Sequence, residues 1–292
     1  MDRIHSPSSI NLYKRCARKY YWRYVKGVPL QPNVYMVRGT VLHSILENFF
    51  DTDLKGVNFE NYEPTFKTRL QELAIKAWKE NKKLLDSFIL TEDEIKSYFN
   101  QVIMMALNWF DLFNHRIKLF SKEGFETAFE SLKPIREKRY YSPYYRVQGY
   151  IDAVENLDGK VRIMDYKTSS DVKISEEYKL QLAIYALLYF EEHGKLPDKV
   201  GIYFVRDDGV SEELIQVGQE LLDYAKNEIL EVKEKTLSEK EEDYPKTKEF
   251  NRNCRWGSGQ CEYYEMCFGQ KKLVDFNAVE KPIVQEEDFG VF

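Results

Sequence analysis

Tyr144-Tyr145-Arg146-Val147-Gln148-Gly149-Tyr150-Ile151-Asp152-Ala153-Val154-Glu155-Asn156 reads as a β-strand. It is followed by Leu157-Asp158-Gly159-Lys160 and a second strand, Val161-Arg162-Ile163-Met164-Asp165-Tyr166-Lys167-Thr168. Asp-Gly between two β-rich runs is a strong hairpin signal, because both loop positions of the favoured turn need φ > 0. With Asp158 and Gly159 as the loop, Asp152 falls opposite Asp165, their Cβ atoms roughly 4.5–5.5 Å apart. Alternation puts Lys167 on the face of Asp165. Like charges directly opposite destabilise a sheet, so the pair implies a compensating cation, most simply a divalent metal.

Working outward, Ser6-Pro7 marks a helix start, with Ser6 as N-cap and Pro7 at the first helical position. That helix is expected to run to about Tyr24. A second fits Gly39 to Phe50, where Leu42, Ile45, Leu46 and Phe49 form an apolar stripe. Residues 62–121 read as two longer amphipathic helices split near Leu90-Thr91. Phe125–Leu132 and Ile135–Tyr140 read as strands, Glu176–Glu192 as a helix, Lys199–Val205 as a strand, and Glu212 to about Lys235 as a helix. Strands in the middle with helices before and after give an α/β fold, a central sheet flanked by helices. The expected organisation is a core of 1–51 and 122–238, a helical insertion at 52–121, and a C-terminal segment, 239–292, that acts with Cys16.

The 292 residues are 43% hydrophobic and 31% charged, which fits a globular protein with a substantial core. No apolar run is long enough to span a membrane and the polar N-terminus does not read as a signal peptide, so a cytoplasmic protein is expected. A net charge of −5 argues against indiscriminate coating of nucleic acid but allows a local basic groove. The richest cationic stretch, Lys14 to Lys26, carries six cations and four aromatics. Arg15, Arg18 and Lys19 are its candidate DNA contacts, with Arg252 and Arg255 as a possible extension.

The four cysteines are Cys16, Cys254, Cys261 and Cys267, three of them within fourteen residues. In an intracellular chain this arrangement argues for metal ligation over disulfides, and four thiolates suit Zn²⁺ or a 4Fe–4S cluster. Gln181 and Tyr185 lie one helical turn apart and so share a face.

Four blocks occur in order: Gly39 to His43, Gly149 to Asp152, Asp165 to Thr168, and Gln181 to Tyr185. Together they resemble the RecB-like branch of the PD-(D/E)XK nuclease superfamily, which includes helicase-linked exonucleases and CRISPR-adaptation nucleases. The resemblance implies a restriction-endonuclease-like mixed sheet and a DNA nuclease acting on single strands or ends, leaving 5′-phosphate and 3′-hydroxyl products. It implies His43, Asp152, Asp165 and the Tyr166 carbonyl as ligands of Mg²⁺ or Mn²⁺, the imidazole tilting the site towards Mn²⁺. Lys167 would orient or help deprotonate the attacking water and neutralise phosphate charge, and Gln181 and Tyr185 could both reach the DNA backbone or a metal-bound water. Glu137 is a further acidic candidate. Relatives place one cysteine before the first block and three near the C-terminus around a 4Fe–4S cluster, which assigns that group to Cys16, Cys254, Cys261 and Cys267, with Zn²⁺ second. The gap between Cys254 and Cys261 is longer than in relatives. Other readings are a nuclease trimming CRISPR spacer precursors and a non-catalytic DNA-binding subunit. A helicase or CRISPR-adaptation proteins are the candidate partners. The aromatic tail Asp288 to Phe292 is a candidate docking peptide.

Overall fold

The computed structural model describes residues 3–247, 253–256 and 259–269. Its helices begin with α1 (Pro7–Arg15), α2 (Ala17–Tyr20) and α3 (Val34–Phe49). There follow α4 (Tyr62–Glu80), α5 (Lys82–Leu85), α6 (Glu92–Leu119) and α7 (Phe125–Leu132). The sheet strands are β1 (Ile135–Ser142), β2 (Val147–Leu157), β3 (Lys160–Lys167), β4 (Lys199–Arg206) and β5 (Gly209–Gln216). The helix α8 (Glu176–His193) links β3 to β4, and α9 (Gln219–Lys235) follows β5. Two short strands, β6 (Arg255–Trp256) and β7 (Gly259–Gln260), and α10 (Tyr264–Phe268) carry the last cysteines.

The sheet runs in the order β1-β2-β3-β4-β5. Only β3 and β4 are parallel, as their connection through a helix requires; the other neighbours are antiparallel. This is the mixed, helix-flanked sheet expected from the sequence. The Asp158-Gly159 turn forms as expected, both residues having positive φ (53° and 77°). It sets the register from Leu157↔Lys160 to Ala153↔Met164.

Three expectations about elements are corrected. Phe125–Leu132 is a helix, because Phe125, Ala128, Phe129 and Leu132 follow the helical repeat and all four are buried. The stretch from Glu212 begins as a strand. Asp207 and Asp208 turn the chain so that Arg206 pairs with Gly209, and β5 covers the sheet edge before α9 starts. Near the N-terminus, the expected single helix breaks at Cys16, whose backbone turns extended (φ −160°). The Cys16 Sγ then caps α2 by accepting from the Lys19 N–H at 3.4 Å.

Two apolar layers sandwich the sheet. On one side α3, α4, α6 and α7 pack round Phe49, Phe66, Phe110 and Phe129, all fully buried, against Ala153, Met164, Tyr166 and Tyr203 of the strands. Each such side chain contributes about 1.5–3 kcal/mol of burial. The helices of residues 62–119 therefore share one continuous core with the sheet. On the other side α8 and α9, with Ile10 of α1, cover Ile151, Ile163, Val200, Ile202 and Phe204. A third cluster joins the chain's two ends: Tyr20, Tyr21 and Trp22 pack with Tyr244, Cys254, Cys261 and Tyr263. Among the described residues, no helix is long and apolar enough to cross a membrane.

Candidate active site

The site forms where β2 and β3 part. Beyond Ala153↔Met164 the hairpin ladder stops, and the Tyr166 N–H donates to Asp152 Oδ2 at 2.8 Å. A side chain thus takes up a backbone donor and fixes one carboxylate at the strand end. The Tyr166 carbonyl, expected as a metal ligand, accepts instead from His43 Nε2 at 2.9 Å. A carbonyl can only accept, so Nε2 carries a proton, and the other ring nitrogen, Nδ1, lies 3.5 Å from Asp152 Oδ2. In a neutral imidazole this sets two acceptors face to face, an arrangement that a cation between or beside them would stabilise.

Glu137 completes this trio. The β1–β2 register runs from Arg136↔Ala153 to Lys138↔Ile151, which sets Glu137 against Asp152. Ligand atoms of His43, Glu137 and Asp152 all lie within 4.8 Å of one another. Glu137 has φ 45°, a left-handed conformation that costs a non-glycine residue about 1–2 kcal/mol. The turn reverses the strand's alternation. Arg136 bonds to Glu47 and Asp51 at α3, whereas Lys138, also even-numbered, bonds to Glu192 of α8 across the sheet.

Asp165 stands apart from the trio and faces α8. Gln181 Nε2 donates to Asp165 Oδ1 and to the Tyr185 hydroxyl, both at 3.0 Å. Lys167 Nζ sits 2.9 Å from Asp165 Oδ2, which confirms the expected shared face, and lies 5.5 Å from the Tyr178 ring centre. Burial pushes the Asp165 carboxyl up to about 6, against the pull of Lys167 and with repulsion from Asp152. Burial works against the Lys167 ammonium too, but Asp165 and Asp152 outweigh it and raise its pKa. Lys167 is therefore a held cation at neutral pH. Although buried, Asp165 Oδ2 has no aligned hydrogen-bond donor. Burial also holds Tyr185 neutral. Gly149 makes room for the Tyr185 ring, since a Cβ there would come 2.8 Å from the ring's Cε1.

Sequence reading passed over Arg38. One turn and a half before His43 on α3, it donates to Gln101 Oε1 at 2.6 Å and the Thr168 carbonyl at 3.4 Å, beside the end of β3. It lies just before the helix expected from Gly39, and its spacing gave no signal of this.

The expected DNA contacts on α1 and α2 are largely spent within the protein. Arg18 is buried, bonds to Glu241 and donates to the Tyr244 carbonyl at 2.7 Å, so it braces the C-terminal segment. Lys19 pairs with Glu262 at 2.9 Å, and Arg15 lies 3.7 Å from Glu177. Arg255 is exposed and its guanidinium covers the Tyr264 ring at 4.2 Å. Arg252 and the tail Asp288 to Phe292 lie outside the described residues.

Cys16, Cys254, Cys261 and Cys267, all free thiols, line one small pocket open to solvent. The Cys261 N–H donates to the Cys254 carbonyl at 2.9 Å. Burial pushes the Cys261 thiol up to about 12, and burial raises Cys267 as well, with the charge of Cys16 adding to it.

Three carboxylates, an imidazole and a buried lysine thus meet at one end of a mixed sheet. The PD-(D/E)XK nuclease superfamily model matches residues 5–268, and the chain belongs to that superfamily. No curated protein matches the sequence. Among solved structures, that of a "Putative exonuclease" from Eubacterium rectale is similar at 13% identity with a TM-score of 0.45, over 92% of this chain and 94% of that one.

Proposed function

We propose that the protein is a divalent-metal-dependent deoxyribonuclease of RecB-like type, an exonuclease on single-stranded DNA or DNA ends. The observation that carries the reading is the convergence of His43, Glu137 and Asp152 beside the buried Asp165–Lys167 pair. The donor set fits a hard divalent cation: a lone pair at His43 Nδ1, carboxylates, and the unaligned Asp165 Oδ2. His43, Asp152 and Asp165, with Glu137 added, would hold Mn²⁺ or Mg²⁺. Such an ion supplies Lewis acidity and charge relief for phosphodiester hydrolysis. The chain's residues do the rest. The Tyr166 N–H orients Asp152, Gln181 orients Asp165, and the Lys167 ammonium offsets charge developing on the phosphate. The test is incubation of purified protein with end-labelled single- and double-stranded DNA, with Mn²⁺, Mg²⁺ or chelator. Shortening of single strands with either metal and none in chelator is expected; inert wild-type protein with both metals would refute the reading.

The four thiols would hold a 4Fe–4S cluster, with Zn²⁺ as second choice. The group would staple the chain's ends beside the third apolar cluster. Anaerobically purified protein is expected to contain iron and acid-labile sulfide at about 1:1. Cys261→Ala should lose both and melt at lower temperature. Zinc without sulfide would assign the site to Zn²⁺, and unchanged melting would remove the structural role.

A further inference from the structure

We propose that the uncovered side of β1 and β2, beyond Glu137 and Asp152, is a track for single-stranded nucleic acid entering the site. The proposal rests on the nuclease reading and deepens it by naming where the strand lies.

From Glu137 towards the Tyr144 turn, the two strands bury Tyr140, Val147, Gly149 and Ile151 in the layer beneath α8. Arg139, Tyr141 and Gln148 point the other way. Register sets Arg139 opposite Tyr150 and Tyr141 opposite Gln148. Tyr141 is 38% exposed and Tyr144, at the turn, 74%. Arg139 donates twice to Gln148 Oε1, at 3.1 and 2.7 Å, and its guanidinium lies 5.6 Å from the Tyr141 ring centre. These contacts fix the guanidinium without neutralising it, since neither partner carries a charge. Lys14, Arg15, Arg18 and Lys19, by contrast, each face a carboxylate. Among the described residues no carboxylate pairs with Arg139, and in a chain with a net charge of −5 an exposed, braced cation between tyrosines is a specific feature.

Its chemistry fits a polyanion with exposed bases. Arginine contacts phosphate, and tyrosine faces accept unpaired bases without regard to sequence. A duplex hides its bases in the stack, so the aromatic part of the track favours a single strand. The track is also continuous with the site: Arg139 follows Glu137 by two residues, about 7 Å along the strand.

The test uses the full chain. In chelator, where no cleavage occurs, binding of a fluorescein-labelled single-stranded oligonucleotide is measured for wild type and the Arg139→Ala/Tyr141→Ala double variant. Calorimetric Mn²⁺ binding serves as the control for an intact site. The dissociation constant is expected to rise on the order of 10-fold or more, with Mn²⁺ affinity retained. A second measurement needs no substitution: a strand carrying 5-iododeoxyuridine should photocross-link wild type within the peptide containing Tyr141 and Tyr144. Equal binding by variant and wild type, with cross-links elsewhere, would overturn the track and leave the nuclease reading standing. Wild type that binds no single strand would overturn both. Concentration-dependent self-association abolished by Tyr141→Ala would show the face to be a protein interface and would also overturn the track.

Discussion

Lys167→Ala lowers the rate of DNA cleavage by roughly 10²–10⁴-fold, the range for loss of a positioned group acting on charge or protons in the transition state. The expectation follows from the ammonium's situation. It is 6% exposed and held against Asp165 at 2.9 Å. Asp165 and Asp152 raise its pKa despite burial, so it acts as a fixed cation and not as a proton acceptor at neutral pH. Alanine also leaves Asp165 buried without its counter-charge. Burial already pushes that carboxyl up to about 6 against the pull of Lys167, and losing the ammonium pushes it further up, so it can take up a proton and the fold should survive. Single-turnover cleavage is the measurement, with circular dichroism and oligonucleotide binding as controls. Retention of wild-type rate in a folded, DNA-binding variant would remove Lys167 from the chemistry.

Glu155→Ala should destabilise the protein by about 3–5 kcal/mol, the usual result of stripping one partner from a buried charge network. Glu155 is 8% exposed and accepts from Arg116 at 3.1 Å, from Arg162 Nε at 3.1 Å and from the Tyr203 hydroxyl at 2.9 Å. Among the described residues, the other carboxylate paired with both guanidinium groups is Glu212, at 3.4 Å from Arg116 and 2.8 Å from Arg162, and it is more exposed. The loss would reach the site, because Tyr203 stacks on Tyr166 at 5.7 Å and Tyr166 holds both Asp152 and His43 through its backbone. Urea unfolding measures the effect. A change below about 1 kcal/mol would mean that Glu212 and water re-pair the arginines.

The hairpin was legible because its information is local. Asp158-Gly159 specifies the turn, the turn specifies the register, and alternation brings Lys167 to Asp165. The pairing of Gln181 with Tyr185 was equally local, one helical turn. Where the reading failed, tertiary partners decided. Aromatic composition at Phe125–Leu132 suggested a strand, although spacing already favoured the helix that buries Phe125 and Phe129. The start of β5 is polar and edge-exposed, so its Glu-rich run resembled a helix. Arg18 looked available for DNA because Glu241 and Tyr244 lie more than two hundred residues away in the chain. The close union of Glu137 with His43, in preference to Asp165, depends on a backbone reversal that no pattern announces.

That reversal at Glu137 divides the sheet into two phases. In an unbroken strand, removing one residue exchanges its faces along the whole length. Here the phase change already lies between the catalytic end and the hairpin tip. Substitutions at the tip are consequently decoupled from the carboxylates, whereas insertions and deletions are not. A deletion at position 137 would restore continuous alternation with Arg136 still towards α3 and Tyr140 still beneath α8, but it would remove one carboxylate of the trio and leave Asp152 without its neighbour across the ladder. The tip is free to diverge in composition while its length stays fixed, so a change of substrate preference can evolve by replacement alone.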